Sequence, residues 1–121
     1  MLATASELAL KKCKPCEGGV DPVSPQDAAE QIKNLAGWTL SADSKKIRKE
    51  WVVKNFMAAI NFFNDVAKVA EADDHHPDLH LTGYRNVAIE LSTHAIGGLS
   101  ENDFILAAKI DRVPVELKQK K

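Results

Sequence analysis

The sequence lacks a surplus of charge of either sign and any long apolar run. Its 16 basic and 17 acidic residues nearly cancel, for a formal net charge of -1. Because binding to a phosphate backbone requires a basic surface, direct nucleic-acid binding is not expected. The apolar runs are far shorter than the roughly 20 residues that cross a bilayer. Residues 1–10 also lack the charged start and the cleavage site of a signal peptide. We therefore expect a cytoplasmic protein with no membrane segment.

Cysteine is scarce, and the only two, Cys13 and Cys16, form a C-x-x-C pair. This spacing suits half of a zinc site or a redox pair. A redox pair is expected to open a helix after a strand, whereas residues 17–19 are Glu-Gly-Gly. A zinc site would need two more ligands, and the nearest candidates, His76 and His80, lie about 60 residues away. We interpret the pair as reduced and structurally incidental, with the metal and redox roles left open.

The chain has enough apolar residues for one core. It is 121 residues long and 45% hydrophobic, which suits a single domain without disulfides or metal to stabilise it. Pro and Gly punctuation marks residues 1–23 as an N-terminal arm with a short helical start. We assign residues 24–116 to the domain proper and residues 117–121 to a basic C-terminal tail.

Hydrophobic spacing and helix-capping signals predict seven elements in the domain. The predicted order is a helix at 24–36, strands at 38–40 and 47–53, a helix at 55–73, strands at 79–81 and 87–91, and a helix from 100 to about 113. This α-β-β-α-β-β-α order implies an α+β fold, a four-stranded antiparallel sheet with helices packed on one face. Because such a sheet has edge strands that must be covered or paired, we also expect a homo-oligomer.

Three of the four histidines lie in two polar clusters in the second half of the chain. One cluster contains Glu71, Asp74, His75 and His76, and the other is Ser92-Thr93-His94, followed by the segment 98–103. Imidazole is the side chain whose ordinary pKa lies nearest neutrality, so histidines beside carboxylates suit proton transfer at cellular pH. The two clusters therefore indicate an acid/base site.

Zinc binding is the main alternative for the first cluster. His76 and His80 have the i, i+4 spacing of a helical zinc pair. That interpretation would place Pro77 in the first turn of a helix and would ignore the strand-like alternation of Leu79 and Leu81. We therefore expect no metal.

The acid/base interpretation uses His75 and His94 as proton donor and acceptor, with Glu71, Asp74 and Asp103 holding their tautomers. Glu71, Asp73 and Asp74 also stand near the C-terminus of the predicted helix, where the helix dipole disfavours negative charge. That unfavourable placement indicates a purpose other than helix stability.

Three motifs together resemble one enzyme family. E-x-x-D-H-H-P at 71–77, S-T-H at 92–94 and G-L-[ST]-x-x-D at 98–103 are similar to those of pterin-4a-carbinolamine dehydratases, over roughly residues 24–110. The resemblance implies a helix-covered four-stranded sheet that assembles into dimers or tetramers. It also implies loss of water from the 4a-hydroxylated pterin made by aromatic amino-acid hydroxylases, giving quinonoid dihydropterin with no metal or cofactor.

The resemblance also implies roles for single residues. His75 and His94 match the acid/base histidines of the family, and His76 matches its third site histidine, assigned mainly to binding. Glu71 and Asp103 match the supporting carboxylates. The positions that line the pterin pocket or stand near it are Asp74, Ser92, Thr93, Ala95 and Trp38. Because some members bind a transcription factor through their helical surface, a dimerisation or binding module is the second function implied.

Overall fold

The computed structural model describes residues 3–13 and 21–119, so Cys16 of the C-x-x-C pair lies outside the described residues. Within these residues, four α-helices and one four-stranded antiparallel sheet make the fold α+β, as the sequence predicts. Across the described ranges no helix is both long and apolar enough to span a bilayer. The elements are α1 (Ala5–Leu10), α2 (Pro25–Ile32), β1 (Thr39–Leu40), β2 (Ile47–Val52), α3 (Phe56–Asp73), β3 (Asp78–Thr82), β4 (Asn86–Leu91), a 3-10 helix (His94–Ile96) and α4 (Glu101–Ile110). The 3-10 helix was not among the predicted elements.

β4 is an inner strand of the sheet, whose order is β1-β2-β4-β3 with every pair antiparallel. Val87, Ile89 and Leu91 of β4 are buried in the same core as Phe62 of α3 and Phe104 of α4. These three alternate residues share one face of the strand because the side-chain period of a strand is two. The helices therefore cover one face of the sheet.

The opposite face of the sheet carries a charge network around Glu90. Arg48 donates hydrogen bonds to Glu50 at 2.8 Å and to Glu90 at 2.7 Å, and His80 lies 3.4 Å from Glu90. Burial alone would raise the pKa of the Glu90 carboxyl, but the hydrogen bonds from Arg48 and His80 outweigh it and hold that pKa below its ordinary value. The hydrogen bonds that Arg48 donates to Glu50 and Glu90 in turn raise the pKa of its guanidinium.

α3 positions the first histidine cluster. The helix begins after Asn55, whose side-chain oxygen accepts a hydrogen bond from the first turn at 2.8 Å. It ends at a left-handed residue, Asp74, with φ at 50°, and the next backbone N–H, that of His75, donates to Ala70 O at 3.1 Å. The end at residue 73 is as predicted, and it is the left-handed Asp74, three residues before Pro77, that ends the helix.

The N-terminal segment is part of the core over its described length. α1 packs against α4, and Leu8 is only 1% exposed within the main hydrophobic cluster. Lys11 forms an ion pair with Glu101 at 2.9 Å, and the Cys13 thiol donates to Asn102 O at 3.5 Å. The segment predicted as an arm therefore supports the beginning of α4.

Candidate active site

Asp103, in the first turn of α4, is the centre of a buried hydrogen-bond network. Its side chain is fully buried. Oδ2 accepts from the Ser100 N–H at 3.0 Å and from the Thr93 hydroxyl at 2.8 Å, and Oδ1 lies 2.7 Å from His75 Nε2. Ser100 and Asp103 form a capping box at the start of α4, and the same carboxylate also reaches the turn after α3 and the chain after β4.

The directions of these hydrogen bonds follow from the chemistry of the groups. A carboxylate offers only acceptors, so His75 carries a proton on Nε2 and donates it to Asp103. The one hydroxyl hydrogen of Thr93 goes to Asp103, so the Ser100 hydroxyl, 2.8 Å away, must donate to Thr93. The network therefore fixes the tautomer of His75, with the proton on Nε2.

The two adjacent histidines have different surroundings and different partners. His75 is 4% exposed, whereas the His76 side chain is 57% exposed and lies 2.5 Å from Glu71. Glu71 therefore partners His76, while Asp103 partners His75. Because the Glu71 side chain is itself highly exposed, the pair with His76 contributes little to stability.

His94 directly follows a residue of the network, Thr93. It begins the 3-10 helix directly after Thr93, and its side chain lies at the surface. The loop is closed by the Thr93 N–H, which donates to Gly98 O at 2.7 Å, and Gly97 turns it with φ at 64°. His75, 19 positions before His94 in the sequence, is in the network by its side chain, whereas His94 lies next to the network residue Thr93.

The remaining predicted pocket residues flank this network. Ser92 is half-buried, and Asp74 and Ala95 are exposed. Thr93 is 1% exposed, and its hydroxyl is engaged by Asp103 and Ser100. The substrate contacts predicted for these residues stay predictions, and the observed role of the Thr93 hydroxyl is to hold Asp103.

Trp38 is held at the other end of α4. Its indole N–H donates to both carboxylate oxygens of Asp111 at 3.1 Å. Asp111 is eight positions after Asp103, which corresponds to about 12 Å along a helix axis. Lys49, the polar exception on the apolar face of β2, also bonds Asp111, at 2.9 Å, and lies 5.3 Å from the ring of Trp51. The described contacts of Trp38 are thus separate from the Asp103 network, and its predicted place near the substrate stays a prediction.

The geometry required by the zinc alternative is not present. His80 lies in β3 rather than on a helix with His76. His76 pairs with Glu71, and His80 pairs with Glu90 on the opposite face of the sheet. In the part of the chain that the structure describes, no three His, Cys, Asp or Glu side chains are grouped so as to hold a metal ion.

Sequence analysis missed the partner of Asp73. Lys109 of α4 forms an ion pair with this residue at 2.5 Å. The sequence feature that pointed to such a partner was the acidic end of α3, because negative charge there does not favour helix stability. The partner could not be found because it lies 36 positions further along the chain.

Comparisons with known proteins agree with the motifs. The family model described as "Pterin 4 alpha carbinolamine dehydratase" matches residues 21–113. A relative from Arabidopsis thaliana, named "Pterin-4-alpha-carbinolamine dehydratase 2, mitochondrial", is 48% identical over 121 residues, 96% of this chain and 65% of that protein. The chain therefore spans slightly less than two thirds of that relative.

A relative from Nitrosospira multiformis, named "Putative pterin-4-alpha-carbinolamine dehydratase", is 48% identical over 111 residues, 92% of this chain and 96% of that protein. Among solved structures, one from Brucella melitensis superposes with a TM-score of 0.69 and 28% identity, over 75% of this chain and 96% of the other. It is described as a "transcriptional coactivator/pterin dehydratase".

Proposed function

The chain belongs to the pterin-4a-carbinolamine dehydratase family of hydro-lyases, and from this premise we propose that it converts a 4a-hydroxytetrahydropterin to quinonoid dihydropterin and water. The observation that carries the proposal is the buried Asp103 carboxylate, which holds His75 by one oxygen and the residue before His94 by the other. We further propose that the product serves, after reduction, as the pterin of aromatic amino-acid hydroxylases.

The reaction needs one proton donor and one proton acceptor. The bond between carbon 4a and its hydroxyl oxygen breaks, the electron pair of the neighbouring ring nitrogen forms a C=N bond, and that nitrogen loses its proton. Hydroxide is a poor leaving group, so the oxygen is protonated as it departs and leaves as water. Positioned acid and base groups typically accelerate such a step by about 10² to 10⁴.

His75 and His94 are the proposed pair for these two transfers. Asp103 keeps the Nε2 proton of His75 in place, which fixes the tautomer and the orientation of the ring. His94, at the surface end of the same local structure, can meet a substrate that arrives from solvent. The exposed His76 and Glu71 stand beside this region and suit substrate binding.

Removal of both histidines tests the proposal. The substrate is generated freshly, and turnover is measured for His94→Ala and for the double variant His75→Ala/His94→Ala. We expect the double variant to lose at least about 10²-fold in kcat. His80→Ala is the matched control, because His80 lies on the opposite face of the sheet in a weak, exposed pair. Near-wild-type turnover in a folded double variant would refute the assignment.

A second function, binding of a transcription factor, is supported by the description of the Brucella relative as a coactivator. Such binding would use the helical surface rather than the histidine network. A pull-down with a folded transcription-factor dimerisation domain separates the two functions, because binding should survive His94→Ala while dehydration does not. Absence of capture by the wild-type chain would exclude this second function for the factor tested.

Self-association as a dimer or tetramer is proposed from the sheet, because β3 and β1 are its two edge strands. Light scattering on the purified chain measures this directly, and a monomer at micromolar concentration would contradict it. A cytoplasmic location is likewise proposed, and fluorescence microscopy of the tagged full-length protein tests it.

A further inference from the structure

An ion pair joins the last residue of α3 to α4, outside the Asp103 network. Asp73 Oδ2 and Lys109 Nζ are 2.5 Å apart, and their side chains are 5% and 21% exposed. A carboxylate at a helix C-terminus faces the negative end of the helix dipole, and burial removes it from water. Lys109 compensates both costs, so this pair is a specific contact between the two helices.

Asp73 and His75 lie on either side of Asp74, the left-handed residue that ends α3. Both reach across to α4, Asp73 to Lys109 and His75 to Asp103. Asp103 and Lys109 are six positions apart, about 9 Å along the axis of α4. The turn that carries His75 is therefore attached to α4 at two separate points.

Two attachment points restrict the turn more than one does. The backbone bond from the His75 N–H to Ala70 O closes the turn onto α3, and the two side-chain bonds add restraints from α4. A left-handed conformation at a residue with a side chain is sparsely populated and persists when its surroundings hold it. The pair of Asp73 with Lys109 supplies that restraint one residue before the turn.

We propose that Asp73 and Lys109 are positioning residues for His75, holding the turn after α3 so that the imidazole keeps its bond to Asp103 and its orientation toward the substrate. They act through His75 and do not contact the substrate. The catalytic part of this inference rests on the proposed function. A purely structural ion pair would change the melting temperature of the protein but not the kcat of the folded enzyme or the state of the His75 ring.

The test uses variants of the full chain, assayed well below the lowest melting temperature in the set. Lys109→Met removes the charge, Lys109→Arg conserves it, and Asp73→Lys/Lys109→Asp exchanges the partners. Lys68→Met is the matched control, because it removes a Lys–Asp pair on α3 whose lysine side chain is 81% exposed. The measurements are kcat, KM and the proton NMR signal of the hydrogen-bonded His75 Nε2–H.

We expect Lys109→Met to lower kcat at least about tenfold with KM changed less than about twofold, and to weaken or abolish the Nε2–H signal. Lys109→Arg and the exchanged pair should recover kcat to within about threefold, together with the signal. If Lys109→Met does not fold, Asp73→Asn carries the same expectation. Unchanged kcat and signal in a destabilised Lys109→Met would overturn the inference, as would an exchanged pair that restores the melting temperature alone.

The NMR signal does not depend on turnover, so the two proposals can fail separately. A wild-type chain without dehydratase activity would defeat the proposed function, and the response of the His75 signal to Lys109→Met would still decide whether the ion pair positions this ring.

Discussion

His75 Nε2 lies 2.7 Å from Asp103 Oδ1, although the two residues are 28 positions apart in the chain. One ends the turn after α3, and the other caps α4, so the bond forms only when the two helices are packed together. The same carboxylate also accepts from Thr93, directly before His94. A single buried group therefore holds His75 directly and the residue that precedes His94.

Asp103→Asn should reduce kcat by about 10² to 10⁴. The amide replaces one acceptor oxygen with an NH2 donor, so it cannot accept hydrogen bonds from His75, Thr93 and the Ser100 N–H together. The His75 tautomer is then no longer fixed by a carboxylate. Steady-state kinetics with freshly generated substrate measures the effect, with Asp65→Asn on the exposed side of α3 as the control. A kcat within twofold of wild type would contradict the network's role.

Thr93→Val should lower the free energy of unfolding by about 1 to 3 kcal/mol. The change keeps the shape of the side chain but leaves the Ser100 hydroxyl without its acceptor and removes one bond to Asp103. Urea denaturation measures the stability, and Thr82→Val, on the exposed edge strand β3, is the matched control. Equal losses of unfolding free energy in Thr93→Val and Thr82→Val would show that the buried hydroxyl stabilises the protein no more than an exposed one.

Trp38→Phe should leave kcat and KM within about twofold of wild type while lowering the free energy of unfolding by about 1 kcal/mol. The reason is that the described indole bond goes to Asp111, at the far end of α4 from Asp103. Tyr84→Phe, at an exposed position, serves as the control for stability. A large rise in KM would instead place Trp38 against the substrate, as the family resemblance implied.

Glu90→Gln should lower stability at neutral pH, and the difference from wild type should shrink as pH falls below 4.5. The pKa of folded Glu90 is held below its ordinary value of 4.5. Unfolded Glu90 therefore binds a proton at a higher pH than folded Glu90 does, and its contribution to stability is lost as pH falls through the folded pKa. Urea denaturation over a pH series measures this. A difference that stays constant down the acid range would show that the Arg48 and His80 bonds do not act through this carboxylate.

Much of the fold could be predicted because the signals are local. The apolar spacing of residues 55–73 repeats at the helical period, and the observed α3 covers Phe56–Asp73. The capping box of Ser100 and Asp103 likewise marked the start of α4, since its partners are three residues apart. Burial of Leu8 was missed, because nothing within a six-residue helix shows that α4 will cover it.

The partners within the site could not be predicted from the same signals. Sequence analysis grouped Glu71 with Asp103 as supports for His75 and His94, whereas in the structure Glu71 pairs with His76 and only Asp103 reaches His75. Adjacent residues on extended backbone point to opposite sides, so two neighbouring histidines need not share a partner. Which of the two histidines is buried depends on which side of the backbone faces α4, and that is decided by tertiary packing.

The sequence alone determined the residue types of the site, the helix and strand periods that place them near element ends, and the family to which the motifs belong. Tertiary structure alone decided that Asp73 meets Lys109 and that Asp103 meets both His75 and Thr93. The physical reason is the separation along the chain over which each interaction acts. Backbone preferences and side-chain periodicity act over a few residues. These contacts join positions 10 to 36 residues apart and exist only once α3 and α4 pack on the sheet.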